Sequence, residues 1–518
     1  MKFLRPATVR VILALLGAIF LGATGRAMVY RPEKGSMWDP SILWHDGLYY
    51  AFMMYDTEGD DAYCLLATSP DGVHWRTEGT IVNEHERTDG GSFFKCYVAK
   101  CGDKFVMDHG VGRCKDGRMV SQDEMRFFQS KDLRHWDYIT STHPDARWYK
   151  QDRWDHMYIL PKEEGRPEAG YWGYVVAVPK EGADVPAMKQ SVDGLTWEVL
   201  PPAKTEWGSI PPKNHFEYGG CERIGGKYYL IGGTFDYMGS KGYNVFTLVA
   251  DGPRGPFRPD PEAFRLCGNT GKPLTWAAAW ARGKDELLIS NYTYRKHGTP
   301  APWLLPLRKP VVDAAGHLRL GWWPGNEAMK GAELALGGKS AALDATGKTG
   351  GYDLHYLAPT FNLGQGIVLE GKIKARAAGA GRPVAGFLFE EKPGQAMAIQ
   401  LGVGPAEGRE THIGRLTAGA DGRMNFVSED VTGKGHATVT GIDDGREHTF
   451  RLLCRREMFE LYIDDLLVQT YVHDGGSGRV GLLAGRGAAA FTDLRAWAMS
   501  FPAPKPGEDD DPLKKPGA

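Results

Sequence analysis

Hydrophobic residues in this chain occur in short runs that are broken by glycine, proline and aspartate. Gly47–Phe52 and Gly226–Ile231 are two examples, in which aromatic and aliphatic residues follow a turn. Few stretches show the period of an amphipathic helix, whereas 68 glycines and 32 prolines punctuate the chain throughout. The pattern therefore predicts an all-β protein built of short strands.

A recurring turn signature divides the first part of the chain into similar units. A strand ends in serine, an aspartate and a glycine or basic residue follow, and a tryptophan starts the next strand at Ala67–Trp75, Gln129–Trp136 and Gln190–Trp197. Aspartate and glycine meet the backbone demands of a tight turn. The copies lie about sixty residues apart, which is typical of the blades of a β-propeller.

Five units are the simplest count for residues 28–325. They begin near Trp38, Gly90, Trp154, Phe216 and Trp276, each on a short aromatic or β-branched run. We therefore predict a five-bladed β-propeller over this range, with the side chains of its inner strands converging on a central funnel.

The composition changes after residue 325. Residues 326–350 are rich in Ala, Gly and Lys and are predicted to form a linker or an edge segment. Residues 351–500 contain about eight short strands, as expected for a two-sheet β-sandwich. The strand ending at Ile463, the turn Asp464-Asp465 and the strands that follow resemble concanavalin-like sandwich domains. Residues 501–518, with the acidic run Glu508–Asp511, are predicted to be disordered.

The N-terminus predicts export. A basic start with Lys2, Arg5 and Arg10 is followed by the apolar run Val11–Leu21 and by small residues up to position 27. Residues 1–27 therefore read as a signal peptide, with an uncleaved anchor as the alternative. We expect a secreted or periplasmic protein, and the net charge of −2 gives no reason to expect nucleic acid or an anionic membrane as a partner.

The seven cysteines are too few for a disulfide scaffold in a chain of 518 residues. Cys96, Cys101 and Cys114 are near enough in sequence for one bridge, but their spacing does not determine which pair forms it. No zinc-type motif occurs, and we predict no cofactor and no metal ligands. A calcium ion in the channel of the propeller stays open as an alternative.

Three acidic residues open predicted blades and are candidates for catalysis. Asp39 lies in the first unit, Asp155 in the third and Glu217 in the fourth. A pair of carboxyl groups cleaves a glycosidic bond, because one protonates the leaving oxygen while the other attacks the anomeric carbon or activates water. A third carboxyl can hold the sugar or tune the acid.

The order of these motifs resembles the five-bladed propeller glycoside hydrolases of families 32 and 43. The Trp38–Ile42 segment is similar to the Asp-Pro-Ser-Ile opening of family 43, and Gly90–Phe93 is similar to the second blade of family 32. The Arg153–Asp155 stretch resembles the Arg-Asp-Pro motif of family 32 with one residue inserted, and Glu217 is similar to the acid of its Glu-Cys-Pro motif.

The resemblance implies a role for each carboxyl group. Asp39 would be the nucleophile of a retaining enzyme or the general base of an inverting one, Asp155 the transition-state stabiliser and Glu217 the proton donor. Asp152 is the alternative to Asp155, and Glu222 is the alternative to Glu217, if the alignment slips. The first motif lacks the Asn-Asp-Pro-Asn form associated with fructosidases, so the resemblance does not extend to fructan specificity.

Aromatic and histidine side chains near these acids are candidates for sugar binding. An indole face can stack on a sugar ring, and imidazoles can donate to hydroxyl groups. The candidates are Trp38, Trp154, Trp276, His109, His156 and His215. Packing within a blade is the alternative role for each of them.

Together these features predict an exported glycoside hydrolase that removes a terminal sugar from an oligo- or polysaccharide by paired-carboxylate catalysis. The preference for a chain end rests on analogy with the fold, since a funnel closed at one end admits a terminus. One alternative is a carbohydrate-binding propeller without activity. Another is a phosphorylase-like enzyme, for which Arg113, Arg126 or Arg153 would bind phosphate.

Overall fold

The structure is a computed structural model. It describes residues 28–56, 63–81, 92–115, 118–182, 186–208, 212, 216–237, 242–268, 275–293, 302–378, 382–403, 410–433, 435–437, 441–442, 444–472 and 477–502. The predicted signal peptide, and the predicted tail from residue 503 onward, lie outside these ranges. No helix among the described residues is long and apolar enough to cross a lipid bilayer.

The first part of the chain folds into five antiparallel sheets. Blade 1 contains β1 (Ser36–His45), β2 (Leu48–Asp56), β3 (Tyr63–Ser69) and β4 (Arg76–Ile81). Blade 2 contains β5 (Ser92–Cys101), β6 (Lys104–Lys115), β7 (Arg118–Ser130) and β8 (Asp137–Thr142). Blade 3 contains β9 (Tyr149–Pro161), β10 (Tyr171–Pro179), β11 (Ala187–Ser191) and β12 (Glu198–Leu200), with a short 3₁₀ helix at Pro167–Ala169.

The fourth and fifth blades complete the ring. Blade 4 contains β13 (Glu217–Ile224), β14 (Lys227–Phe235), β15 (Tyr243–Ala250), β16 (Arg258–Pro259) and β17 (Arg265–Cys267). Blade 5 contains β18 (Thr275–Arg282), β19 (Leu287–Thr293), β20 (Arg308–Val312) and β21 (Leu318–Trp322). The inner strands β1, β5, β9, β13 and β18 lie side by side around the centre, and β1 pairs in parallel with β18 at Leu43 and Arg282. This is the predicted five-bladed propeller.

The repeated signature forms the turn between the third and fourth strands of a blade. In blade 3, Ser191 Oγ accepts a hydrogen bond from the Gly194 N–H, and Asp193 Oδ1 accepts the N–H groups of Leu195 and Thr196, both at 2.8 Å. Trp197 Nε1 donates back to the Gly194 carbonyl. Blades 1 and 2 repeat the serine and aspartate contacts. The sequence pattern therefore encodes one turn, used three times.

A β-sandwich follows a 3₁₀ helix at Pro324–Met329. One sheet has the order β22-β34-β25-β30-β31-β32, with β23 also paired to β34, and the other has the order β24-β33-β26-β27-β28-β29. The first sheet is built from β22 (Lys330–Leu334), β23 (Ala341–Asp344), β25 (Ile367–Ala377), β30 (His448–Arg455), β31 (Met458–Ile463), β32 (Leu466–Val472) and β34 (Gly487–Met499). The second is built from β24 (Tyr352–Tyr356), β26 (Val384–Lys392), β27 (Gln395–Val403), β28 (Glu410–Ala418), β29 (Met424–Thr432) and β33 (Val480–Gly485).

The propeller and the sandwich share a buried interface. One hydrophobic cluster runs from the propeller onto sandwich residues such as Val368, Leu453 and Tyr462, and a second cluster fills the space between the two sandwich sheets. Arg308 of β20 and Glu460 of β31 form a fully buried ion pair across this interface. Residues 326–350, predicted as a linker or edge segment, contain β22 and β23 on the outer side of β34.

Candidate active site

Each of the five inner strands contains a β-bulge where it pairs with the second strand of its blade. The bulged positions are Asp39–Pro40 in β1, Phe94–Lys95 in β5, Asp155–His156 in β9, Gly219 in β13 and Trp276–Ala277 in β18. A bulge interrupts the alternation of a strand and redirects a side chain. The bulges therefore provide a ring of irregular positions around the channel, and charged side chains occupy three of them.

Arg153 connects two of the predicted acids. Its Nη2 lies 3.1 Å from Asp155 Oδ2 and 2.8 Å from each carboxylate oxygen of Glu217. Asp155 belongs to the inner strand of blade 3, and Glu217 is the first residue of the inner strand of blade 4. One guanidinium group thus holds carboxylates from neighbouring blades together.

Asp39 is held by donors from two other blades. Its backbone has a φ of 51°, and Pro40 beside it has no N–H to leave unpaired in the bulge. Asp39 Oδ1 accepts a hydrogen bond from the Tyr292 hydroxyl of β19 at 2.9 Å and lies 3.3 Å from the Lys95 ammonium of β5. Its side chain is 14 % exposed, so the carboxylate is accessible but fixed in direction.

Two buried groups link Asp39 to the other acids. Burial raises the pKa of the Tyr243 hydroxyl well above its usual value, and the negative charges of Glu217 and Asp39 raise it further. Burial lowers the pKa of His156, the Lys95 charge lowers it further, and Asp155 and Asp39 oppose both. Asp39 and Glu217 therefore both act on Tyr243, and Asp39 and Asp155 both act on His156.

Asp155 is held in its ionised form. Burial alone would raise its pKa, but hydrogen bonds from His156 and the charge of Arg153 outweigh burial and hold the pKa well below its usual range. Its Oδ1 accepts the N–H of His156, which the bulge leaves without a partner in the ladder, at 2.8 Å. Asp155 is therefore a fixed negative charge in the site.

The structure corrects the assignment of Trp154 to the sugar site. Its side chain is 0 % exposed, it packs against Tyr149, and its Nε1 donates to Thr142 Oγ1. A ring enclosed by the blade cannot stack on a sugar. Trp38, by contrast, is half-buried and lies edge-on to Tyr292 with ring centroids 6.2 Å apart, so it borders the Asp39 carboxylate.

The predicted histidines are placed inside the blades or lie outside the described residues. His109 is buried between Phe93 and Phe128, and its Nδ1 is hydrogen-bonded to the Gly110 carbonyl. His156 is buried and its Nε2 contacts the Tyr218 carbonyl. Both are placed as packing residues rather than as sugar ligands. His215 and the side chain of Trp276 lie outside what the structure describes.

The two alternative acids make no contact with this cluster among the described residues. Asp152 is exposed and directly precedes Arg153 in β9. Glu222 is buried further along β13, where it accepts hydrogen bonds from Tyr158 and Arg282, and burial raises its pKa. Neither of them contacts Arg153 among the described residues.

The arginines considered for phosphate binding already contact carboxylates. Arg113 and Arg126 both donate to Glu124, and Arg153 donates to Asp155 and Glu217. In the described part of the chain no group of three or more His, Cys, Asp and Glu side chains is arranged to hold a metal ion. Cys96 and Cys101 are buried free thiols, and the side chain of Cys114 lies outside the described set.

Sequence reasoning missed Lys95, Tyr243 and Tyr292. Lys95 was the easiest of the three to find from the sequence, because it follows Ser92-Phe93 of the second-blade motif and is a charged residue within an apolar strand. The two tyrosines gave no signal, since each stands among many other aromatic strand residues.

No protein-family model and no curated protein matches this sequence. Solved structures do match it over nearly its whole length. An exo-inulinase from Aspergillus awamori has 14% identity and a TM-score of 0.65 and covers 92% of this chain and 98% of its own. A sucrose-6-phosphate hydrolase from Lactobacillus gasseri has 13% identity and a TM-score of 0.68, covering 95% and 96%. A GH32 β-fructofuranosidase from Bombyx mori has 12% identity and a TM-score of 0.62, covering 93% and 97%.

This chain has the GH32 fold. The GH32 architecture of a propeller followed by a β-sandwich confirms the predicted fold class. At these identities the likeness shows the fold alone, so the activity has to be argued from the site.

Proposed function

We propose that the protein is a glycoside hydrolase that removes a terminal sugar from an oligo- or polysaccharide. The observation that carries this proposal is the convergence of Asp39, Asp155 and Glu217 from three inner strands, with Arg153 joining the last two. Carboxyl groups gathered at one channel are what hydrolysis of a glycosidic bond requires. The sugar-cleaving enzymes that share the fold support the same conclusion.

In the proposed mechanism each group has a distinct task. Glu217 acts from its protonated form and gives that proton to the leaving oxygen, and Arg153 then stabilises the Glu217 carboxylate that remains. Asp39 attacks the anomeric carbon in a retaining reaction or activates water in an inverting one. Asp155, held ionised by its hydrogen bonds, offers a fixed negative charge to the oxocarbenium-like transition state.

The preference for a chain end is supported by the closure of the channel. Beyond the acids, the rings of Tyr97 and Tyr158 lie 4.4 Å apart, and both residues are buried. Tyr158, Glu222 and Arg282, from three inner strands, join in one hydrogen-bonded group there. A channel closed at this end would accept a terminal sugar more readily than the interior of a chain.

The first test is hydrolysis of aryl arabinofuranosides, xylosides, galactosides and fructosides, together with natural oligosaccharides. We expect wild type to release one sugar, and Asp39→Asn and Glu217→Gln each to lower kcat by about 10³-fold or more. Asp152→Asn, an exposed carboxylate of the same strand as Asp155, is the matched control and should retain activity. Equal rates in all four proteins would remove Asp39 and Glu217 from the mechanism.

The same experiment separates the alternatives. The anomer first released, followed by NMR, identifies Asp39 as nucleophile if configuration is retained and as base if it is inverted. Cleavage that depends on added phosphate would identify a phosphorylase. Sugar binding without turnover would identify a carbohydrate-binding protein. Export forms part of the proposal, and detection of the protein outside the cytoplasm tests it.

A further inference from the structure

The Asp155 bulge receives support from the neighbouring blade. Two residues, Asp155 and His156, oppose the single residue Val176 of β10, so the backbone around them lacks its regular ladder partners. The N–H of Met157, the next residue, donates to Asp108 Oδ1 at 2.6 Å. Asp108 belongs to β6 of blade 2, so a side chain of one blade completes the hydrogen bonding of an inner strand in the next.

Asp108 is an unusual residue for this position. It is fully buried, and burial raises the pKa of its carboxyl group well above the usual value. Its electrostatic partner, Lys189 of β11, is also fully buried, and burial lowers the pKa of Lys189 to about 7 although Asp108 opposes this. Burying two ionisable groups is costly, and leucine would fill such a site at less cost.

The surroundings of Asp108 extend to both sides of the bulge. Lys189 Nζ donates to Thr142 Oγ1 at 2.7 Å, and the same hydroxyl oxygen accepts a hydrogen bond from Trp154 Nε1. Thr142 therefore secures Trp154, the residue before Asp155. Asp108 secures Met157, two residues after Asp155. Asp155 therefore lies between two residues, Trp154 and Met157, that are each held by a hydrogen bond.

Gly110 completes the support on the same strand. Residues two apart in a strand share a face, so Asp108 and Gly110 both face β9. A Cβ on Gly110 would lie 2.9 Å from Asp155 Oδ1 and 3.2 Å from Asp155 Cα. Strand β6 thus contacts the bulge through the carboxyl group of Asp108 and through the backbone of Gly110, which has no side chain.

We propose that Asp108 is a positioning residue for Asp155, holding the β9 bulge in the one conformation that directs the Asp155 carboxylate at the reacting sugar. The inference rests on the proposed function for its catalytic consequence, but its structural content does not. Asp108 acts through the backbone of Met157 and takes no part in the chemistry itself.

Two variants of Asp108 separate geometry from charge. Asp108→Asn keeps an oxygen that accepts the Met157 N–H, whereas Asp108→Leu fills a similar volume and leaves that N–H without an acceptor. Because a displacement of about 1 Å can cost about 10²-fold in rate, we expect Asp108→Leu to lower kcat about 100-fold with little change in KM. We expect Asp108→Asn to stay within about threefold of wild type.

Asp260→Leu is the matched control. Asp260 is another buried propeller aspartate whose Oδ1 accepts backbone N–H groups, those of Glu262 and Ala263, both at 3.0 Å. Asp260→Leu should lower the melting temperature about as much as Asp108→Leu does and leave kcat unchanged. If Asp108→Leu keeps its kcat, or if Asp108→Asn loses as much activity as Asp108→Leu, the positioning role is overturned.

Crystal structures of Asp108→Leu and Asp108→Asn provide a readout that needs no turnover. We expect the Asp155 carboxylate to be displaced in the leucine variant and unchanged in the asparagine variant. An unmoved Asp155 in the leucine variant contradicts the inference whatever the substrate is. If wild type cleaves no glycoside and Asp155 still moves, the proposed function fails and the positioning role stands.

Discussion

At the residue scale, a glycine at position 110 shapes the candidate site, because it brings no side chain into the space beside Asp155. Gly110 has an ordinary backbone conformation, so no left-handed φ requires glycine there. The requirement is steric, because a Cβ at this position would lie 2.9 Å from Asp155 Oδ1 and 3.2 Å from the Asp155 α-carbon. Relief of either contact moves the Asp155 carboxylate, directly or together with the backbone of the bulge.

Gly110→Ala should therefore impair activity more than stability. We expect kcat to fall at least about tenfold as Asp155 shifts by a few tenths of an ångström to relieve the contact. Gly252→Ala is the control, since Gly252 also has an ordinary φ and the nearest atom to its added Cβ would be 3.7 Å away. Kinetics on any glycoside that wild type cleaves measure the effect, and equal rates for the two variants would show that the contact is harmless.

The limits of prediction at this scale follow from the alternation of side chains. Asp39, Asp155 and Glu217 could be proposed because acids at the openings of apolar strands are conspicuous, and their roles remain predictions. Trp154 was assigned to the same site as Asp155, yet adjacent strand residues face opposite sides. One of the pair had to enter the blade, and Thr142, from another strand, holds the tryptophan there.

At the scale of elements, the turn between the third and fourth strands of a blade was readable because its hydrogen bonds are local. Ser191, Asp193 and Trp197 all contact groups within three residues of themselves. The inner-strand bulges were not readable, because each depends on which residue of the partner strand lies opposite. The blade count followed from the sequence, whereas the positions that redirect side chains into the channel did not.

Asp193→Ala tests the contribution of this turn. The loss of two hydrogen bonds from backbone N–H groups to a carboxylate should reduce the free energy of unfolding by about 1–2 kcal/mol at pH 7. Asp103→Ala, at an exposed hairpin turn, is the control and should have little effect. Urea denaturation followed by tryptophan fluorescence measures both.

The destabilisation of Asp193→Ala should also depend on pH. Burial alone would raise the pKa of Asp193, but hydrogen bonds from the N–H groups of Thr196 and Leu195 outweigh it and lower the pKa. A depressed pKa in the folded state gives stability that is complete above the unfolded value of about 3.9 and is lost as the pH falls below it. The difference between wild type and variant should therefore shrink from pH 7 to pH 3, and a constant difference would contradict this account.

At the scale of the whole molecule, the propeller and the sandwich are joined by a polar contact inside an apolar interface. Arg308 donates to Glu460 and to Thr470 Oγ1, while Tyr462 and Thr470 donate to the Glu460 carboxylate at 2.8 and 2.9 Å. The pair is separated by 152 residues in sequence, and neither member stands out in its strand. Two domains could be predicted from composition, but this contact depends on how they pack together.

A double-mutant cycle on this pair tests whether the two domains unfold together. Arg308→Met or Glu460→Leu alone leaves the other charge buried without its partner, which should cost about 3–5 kcal/mol of stability. The double variant replaces the pair with apolar side chains and should cost less than the sum of the single changes. Guanidinium unfolding of the four proteins measures this coupling. Additive losses would mean that Arg308 and Glu460 do not interact energetically. Two separate transitions in wild type would mean that the sandwich unfolds without the propeller, so that the buried pair does not couple the domains.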